Sequence, residues 1–235
     1  MSSELSFRGG ATSAILTIRP SVRARVMRLR VDPRTGAVVL TVPPRVSRRR
    51  ALDWAAGQRA WIEAALAEIR PPAEIGPGAE VPLYGILHAI DWSPERPRTP
   101  RAEAGRILVG GPQETLQPRL LRWLKREALD LLSRETHEYA AKAGVRVERV
   151  GVGDPLSRWG SCSSSGAIRY SWRLILAPDF VRRATVAHEV AHRVHMNHGP
   201  AFHALVETLF EADPKPARLW LRREGARLHR FGRPL

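Results

Sequence analysis

The chain has 235 residues, 43% of them hydrophobic and 26% charged, an ordinary balance for a globular protein with one substantial core or two smaller ones. No apolar run nears the ~20 residues that a membrane-spanning helix needs, and the polar, glycine-containing stretch 1–13 lacks a signal-peptide pattern, so a cytoplasmic protein with no membrane association is expected. The net charge of +15, from 38 Lys and Arg against 23 Asp and Glu, favours anionic partners such as nucleotides or nucleic acid.

That charge is concentrated in 19–50, where Asp32 is the only acid, and in 215–233, where Glu224 is the only acid. No nucleic-acid-binding motif accompanies it, and a solvated arginine-rich surface gives the same pattern. Cys162 is the single cysteine, so no internal disulfide is possible.

In chain order, residues 1–13 are expected to be disordered. Residues 14–18 and 22–31 read as strands. Asp32-Pro33-Arg34-Thr35-Gly36 is a turn cluster, and 37–42 is a β-branched return strand that completes a hairpin. Ser47 is a candidate N-cap for a helix running to Ile69, with Leu52, Ala55, Ala56, Trp61, Ala65 and Ile69 on one face. Residues 81–92 and 106–109 read as further strands. Residues 14–112 therefore form a small strand-rich unit containing one helix, ending at Gly110-Gly111-Pro112.

The remainder, 113–235, opens with a long amphipathic helix from Leu116 to about Lys142, lined by Leu116, Leu120, Leu124, Leu131 and Tyr139. Strands are expected over 145–152 and 167–176. A helix from Pro178 or Asp179 carries 186–195, until Asn197-His198-Gly199-Pro200 breaks it. A helix over 201–211 and a basic helix to about Leu228 complete the chain. No internal repeat is visible.

The chemistry concentrates in His188-Glu189-Val190-Ala191-His192, an H-E-x-x-H run within a helical pattern. Residues four apart share a helix face, so both imidazoles can reach one zinc ion at about 2.0–2.1 Å. Zinc lowers the pKa of bound water to about 7, and a neighbouring carboxylate such as Glu189 can then take its proton. Three protein ligands plus water make an open catalytic site. His198 suits the third position, because Asn197 and Gly199 around it tolerate the backbone turn that would bring it back. Glu207, Glu211 and His203 on the next helix are alternatives. His195 is rotated away from the ligand pair, which makes it a surface group or a support for the ligands. Upstream, Arg158-Trp159-Gly160-Ser161-Cys162-Ser163 reads as a tight loop anchored by Trp159. Cys162 there reads as a small buried hydrophobe, and Arg158 either as a contact for a substrate carboxylate or phosphate or as the partner of an acid of the chain.

Together, Arg158-Trp159-Gly160-Ser161-Cys162, Trp172-Arg173-Leu174, Ala177-Pro178, the His188–His192 run, Asn197-His198 and Phe202 resemble the YgjP-like metallopeptidase family, related to the SprT-like and WLM zincins. Val31-Asp32-Pro33, Val42-Pro43-Pro44 and Trp61-Ile62 resemble its N-terminal region, so the similarity runs from about Arg23. The resemblance implies an α+β fold with a zincin-like catalytic domain over 113–235, one Zn2+ per chain and His198 as third ligand. Ser171 stands where the family usually has Asn, and His203 where it usually has Trp.

The function these readings favour is a soluble zinc metallopeptidase acting on a peptide or protein, with Glu189 as general base. Arg158, Tyr170 and His203 are candidate substrate-contacting or supporting residues. A metal-dependent nucleotide phosphoanhydride hydrolase and a DNA-associated SprT-like protease are the alternative activities. A non-enzymatic binding module is disfavoured by Glu189, which a purely structural zinc would not need.

Overall fold

Alternation of apolar and polar residues builds the first sheet of the computed structural model, which describes residues 5–32, 35–69, 72–155 and 157–232. Its strands are β1 (Ser6–Gly9), β2 (Thr12–Pro20), β3 (Arg28–Val31) and β4 (Val38–Val42). In β4 the side chains of Val38, Leu40 and Val42 are buried on one face, as a strand period of two requires. β3 and β4 form the expected hairpin, with Leu29 opposite Leu40. β2 lies parallel to β4, and the order is β1-β2-β4-β3.

Two expectations for this region are corrected. The disorder predicted for 1–13 does not hold from Ser6 onward, because Phe7 is buried among the apolar side chains of the sheet and anchors β1. One aromatic in a polar stretch leaves little trace in composition. Residues 1–4 lie outside the described residues, as do Pro33 and Arg34 of the predicted turn. Residues 22–27 are irregular, so the strand read over 22–31 begins only at Arg28.

The single helix expected inside this strand-rich region is instead a pair that follows the sheet, α1 (Arg48–Gly57) and α2 (Arg59–Ala67). Ser47 caps α1 by accepting from the Arg50 backbone N–H at 3.3 Å. The break falls at Gln58, just after Gly57, the poorest helix former in the stretch. The buried stripe is Ala51, Ala55, Ile62 and Leu66, one residue out of phase with most of the predicted face, and Trp61 is half exposed. Alanines count as apolar on any face, so the sequence pattern leaves the helix phase open.

The chain divides into two compact units between Pro72 and Ala73. The second begins with β5 (Glu80–Leu83), β6 (Ile86–Trp92), β7 (Arg101–Glu103) and β8 (Arg106–Val109). Their order, β5-β6-β8-β7, repeats that of the first sheet, with antiparallel, parallel and antiparallel pairings in the same succession. This repeat of topology was not visible in the sequence. The strand predicted over 81–92 is a hairpin. Tyr84 and Gly85, at φ 55° and 77°, make the two-residue turn, as Ala104 and Gly105 do between β7 and β8.

The boundary read at Pro112 thus differs from the division found: β5–β8 belong with the helices that follow. These are α3 (Leu116–Ala143), α4 (Asp179–Ala191), α5 (Pro200–Phe210) and α6 (Lys215–Leu228). Between α3 and α4 lie β9 (Arg149–Gly153), β10 (Gly160–Cys162) and β11 (Ala167–Ser171), in the order β10-β11-β9, then a 3-10 turn over Trp172–Leu176. The end of the strand read over 167–176 is therefore helical turn. The whole is α+β, an N-terminal sheet followed by a mixed helix and sheet region.

α3 and α4 are locked together by a buried ion pair. The Arg182 guanidinium grips Glu135 through Nε at 3.0 and 3.1 Å and through Nη2 at 2.9 Å, and Nη1 reaches Asp179 at 2.8 Å. Removing one member strands the other charge in the core. Glu135→Ala is therefore expected to cost about 3–5 kcal/mol, read as a lower urea midpoint.

Candidate metal centre

α4 carries His188, Glu189 and His192, and it stops where the chemistry needs it to. His192 is its C-cap, so the helix expected to continue to His195 ends earlier. The backbone N–H groups of Val194 and His195 both close onto the Ala191 carbonyl, and the chain reverses. Pro200 then opens α5. The short return brings His198 back over α4.

The result is one group of three imidazoles, His188, His192 and His198, whose ligating atoms lie within 4.8 Å of one another. His188 Nε2 and His198 Nε2 face each other at 3.2 Å. Two nitrogens bound tetrahedrally to one zinc would stand about 3.3 Å apart. The His192 Nδ1–H donates to the His195 carbonyl at 3.1 Å. A carbonyl can only accept, so His192 keeps the tautomer with its Nε2 lone pair free for a metal. His195, set aside in the sequence as a ligand, thus contributes its backbone oxygen. These three donors fit a zinc ion in number, type and spacing.

Phe202 holds the cluster from below. It is fully buried, and its ring centroid lies 4.9, 4.5 and 4.8 Å from those of His188, His192 and His198. Burial pulls the His188 pKa down to about 4, helped by the nearby His192, His198 and Arg218. Burial likewise lowers that of His192. Both imidazoles are thus held in the neutral, ligating form at pH 7.

Glu189 is 6% exposed, and burial pushes its pKa up to about 7 against the opposing field of Arg158. Its carboxyl lies against β10. A Cβ on Gly160 would stand 2.5 Å from Glu189 Oε1 and 2.6 Å from Cγ, which is why the Trp-Gly-Ser-Cys run has glycine there. Gly160→Ala is therefore expected to displace the carboxyl. A misplacement of about 1 Å costs about 10²-fold in kcat, and zinc content is expected to be unchanged in the same preparation. Trp159 anchors the loop against α6: a Cβ on Gly225 would meet its ring at 2.7 Å, and the His229 ring lies 5.0 Å away.

The other sequence candidates separate. Arg158 and His203 line a cavity that also borders His188 and Glu189. Tyr170 does not reach that cavity: it is fully buried, its hydroxyl 3.0 Å from Thr136 Oγ1. Glu207 and Glu211 are outside the histidine group, and Glu211 pairs with Lys142 at 2.8 Å. The Cys162 thiol is half-buried, burial raises its pKa, and it lies outside the histidine group. Ser171 Oγ, at the position where Asn was expected, is buried with no hydrogen-bond partner among the described residues. Phe202 entered the sequence reading only through the resemblance, and Arg218 of α6, which lines the same cavity, gave no signal beyond a general basic charge.

Two histidines one helical turn apart, a third returned by the following turn, and a buried glutamate between them define a zinc-binding metalloenzyme. The chain matches the family described as YgjP-like, metallopeptidase domain, over residues 25–224. It belongs to that family. No curated protein and no solved structure matches it. No helix among the described residues is long and apolar enough to cross a membrane.

Proposed function

We propose that the protein is a zinc metallopeptidase in which His188, His192 and His198 hold the metal and Glu189 is the general base. The observation that carries this is the juxtaposition of three imidazole donors with a buried carboxyl on the helix that bears the first two. When bound, zinc supplies a Lewis acid that lowers the pKa of water and polarises a carbonyl. Glu189 takes the proton of the attacking water and later gives it to the leaving amine. Its low exposure keeps that proton from bulk solvent, and Gly160 leaves room for the carboxyl to sit beside the strand. β10 stands at the edge of its sheet beside α4, the kind of strand that an extended peptide can join.

The deciding experiment combines zinc content with cleavage of a peptide library by wild type and Glu189→Gln. About one zinc per chain, with cleavage only by wild type, is the expected result. A second reading, hydrolysis of a nucleotide phosphoanhydride, is favoured by the two guanidiniums of Arg158 and Arg218 beside the site. Release of phosphate or pyrophosphate from nucleotides, without peptide turnover, would replace the first reading by the second.

A further inference from the structure

Beside the histidines lies a cavity of about 270 Å³. Trp159, Val206, Ala217 and Leu221 give it apolar walls, His188 and Glu189 close one side, and Arg158 and Arg218 supply its positive charge. Those two arginines come from different places, the turn before β10 and the first turn of α6. Both are exposed, whereas the buried Arg182 is held by Glu135 and Asp179. Among the described residues, neither Arg158 nor Arg218 has a side-chain hydrogen bond or salt bridge. Arg218 also stands in the first turn of α6, where a cation opposes the helix dipole, so it does not serve the helix.

Two guanidiniums without a side-chain hydrogen bond or salt bridge among the described residues, beside an apolar hollow and next to the candidate reacting groups, suit an anionic ligand. We propose that this cavity is a substrate subsite for a carboxylate on a short apolar stem, the side chain of an acidic residue or the free C-terminus of a peptide, and that Arg158 and Arg218 are its specificity residues. The assignment rests on the peptidase reading. A cavity of about 270 Å³ has room for one side chain. Guanidinium forks fit carboxylate oxygens in pairs, and the apolar walls take up the methylenes between backbone and charge. The two positive charges outweigh the single carboxylate of Glu189.

The test is equilibrium binding, which needs no turnover. Zinc-loaded, full-length Glu189→Gln protein is titrated with amidated alanine-based pentapeptides carrying Glu or Gln at each position in turn, and with the all-alanine peptide bearing a free C-terminus. One charged probe is expected to bind at least about tenfold more tightly than its neutral partner, and which one identifies the carboxylate. The difference disappears when Arg158→Gln and Arg218→Gln are added together, while Arg218→Glu shifts the preference toward a Lys-containing peptide. Equal binding of charged and neutral probes overturns the proposal, as does a preference that survives the double substitution. Tighter binding of inorganic pyrophosphate than of any peptide, through the same two arginines, overturns the carboxylate assignment. Cleavage of the preferred peptide by zinc-loaded wild type is scored separately. Charge-selective binding without cleavage keeps the subsite and removes the peptidase reading.

Discussion

Glu189→Gln is expected to lower kcat on a peptide substrate by about 10²–10⁴-fold, with zinc content unchanged. Gln keeps the shape of the protonated side chain and its fit against Gly160, but it cannot take a proton from water. The pH behaviour carries the same signature. In the metal-free protein, burial holds the Glu189 pKa near 7, well above the ordinary value of about 4.3. A bound dication favours the carboxylate and draws that value down. The acid limb of activity, rising with pH as Glu189 ionises, therefore lies below 7 in the zinc form. Arg158→Gln removes an opposing positive field and moves the limb upward.

The same carboxyl makes stability depend on pH. The folded pKa lies above the unfolded one, so the folded state holds the proton more tightly. Below about pH 4 the group is protonated in both states and costs nothing. Between there and about pH 7 the metal-free protein loses stability as pH rises, reaching about 3 kcal/mol above that range. Glu189→Gln has no proton to lose. Its metal-free form is expected to be more stable than wild type at pH 8 and about equal at pH 4, as urea midpoints at the two pH values will show. Equal pH dependence in the two proteins would sink this account of the buried carboxyl.

His198→Ala is expected to weaken zinc binding by more than about 100-fold. Loss of a group that merely orients a ligand costs 10–100-fold in metal affinity, and His198 supplies a ligating atom itself. Its Nε2 lies 3.2 Å from that of His188, so its removal leaves two donors for an ion that takes three or four from protein. Metal content after dialysis against a weak chelator reads the effect. His203→Ala and Glu211→Gln serve as controls and are expected to keep zinc. His203 lies at the rim with its ring 6.4 Å from that of His198, and Glu211 is held by Lys142. Zinc retained by His198→Ala and lost by either control would move the third ligand to that control's residue.

The sequence by itself determined the local features. The 3.6-residue period placed α3, the i, i+4 spacing put His188 and His192 on one helix face, and Ser47 marked a helix start. Each depends on residues within a few positions of one another, where backbone geometry alone sets the outcome. It also supported the family, whose motifs are short runs. The tertiary structure decided what depends on residues distant in sequence. Only there does Phe7 become an anchor, Phe202 a floor beneath three histidines, and Gly160 the space into which the Glu189 carboxyl fits. The phase of α1 and α2 was open because alanine fits either side of a helix, and the sheet packed above it selects Ala51 and Ala55. The hairpin at Tyr84-Gly85 was read as one strand because apolar residues continue across the turn, and its positive φ values are set by the fold. Arg218 lies sixty residues from Arg158 along the chain. Their shared place at one cavity follows from how α6 packs against α4, which no local pattern encodes.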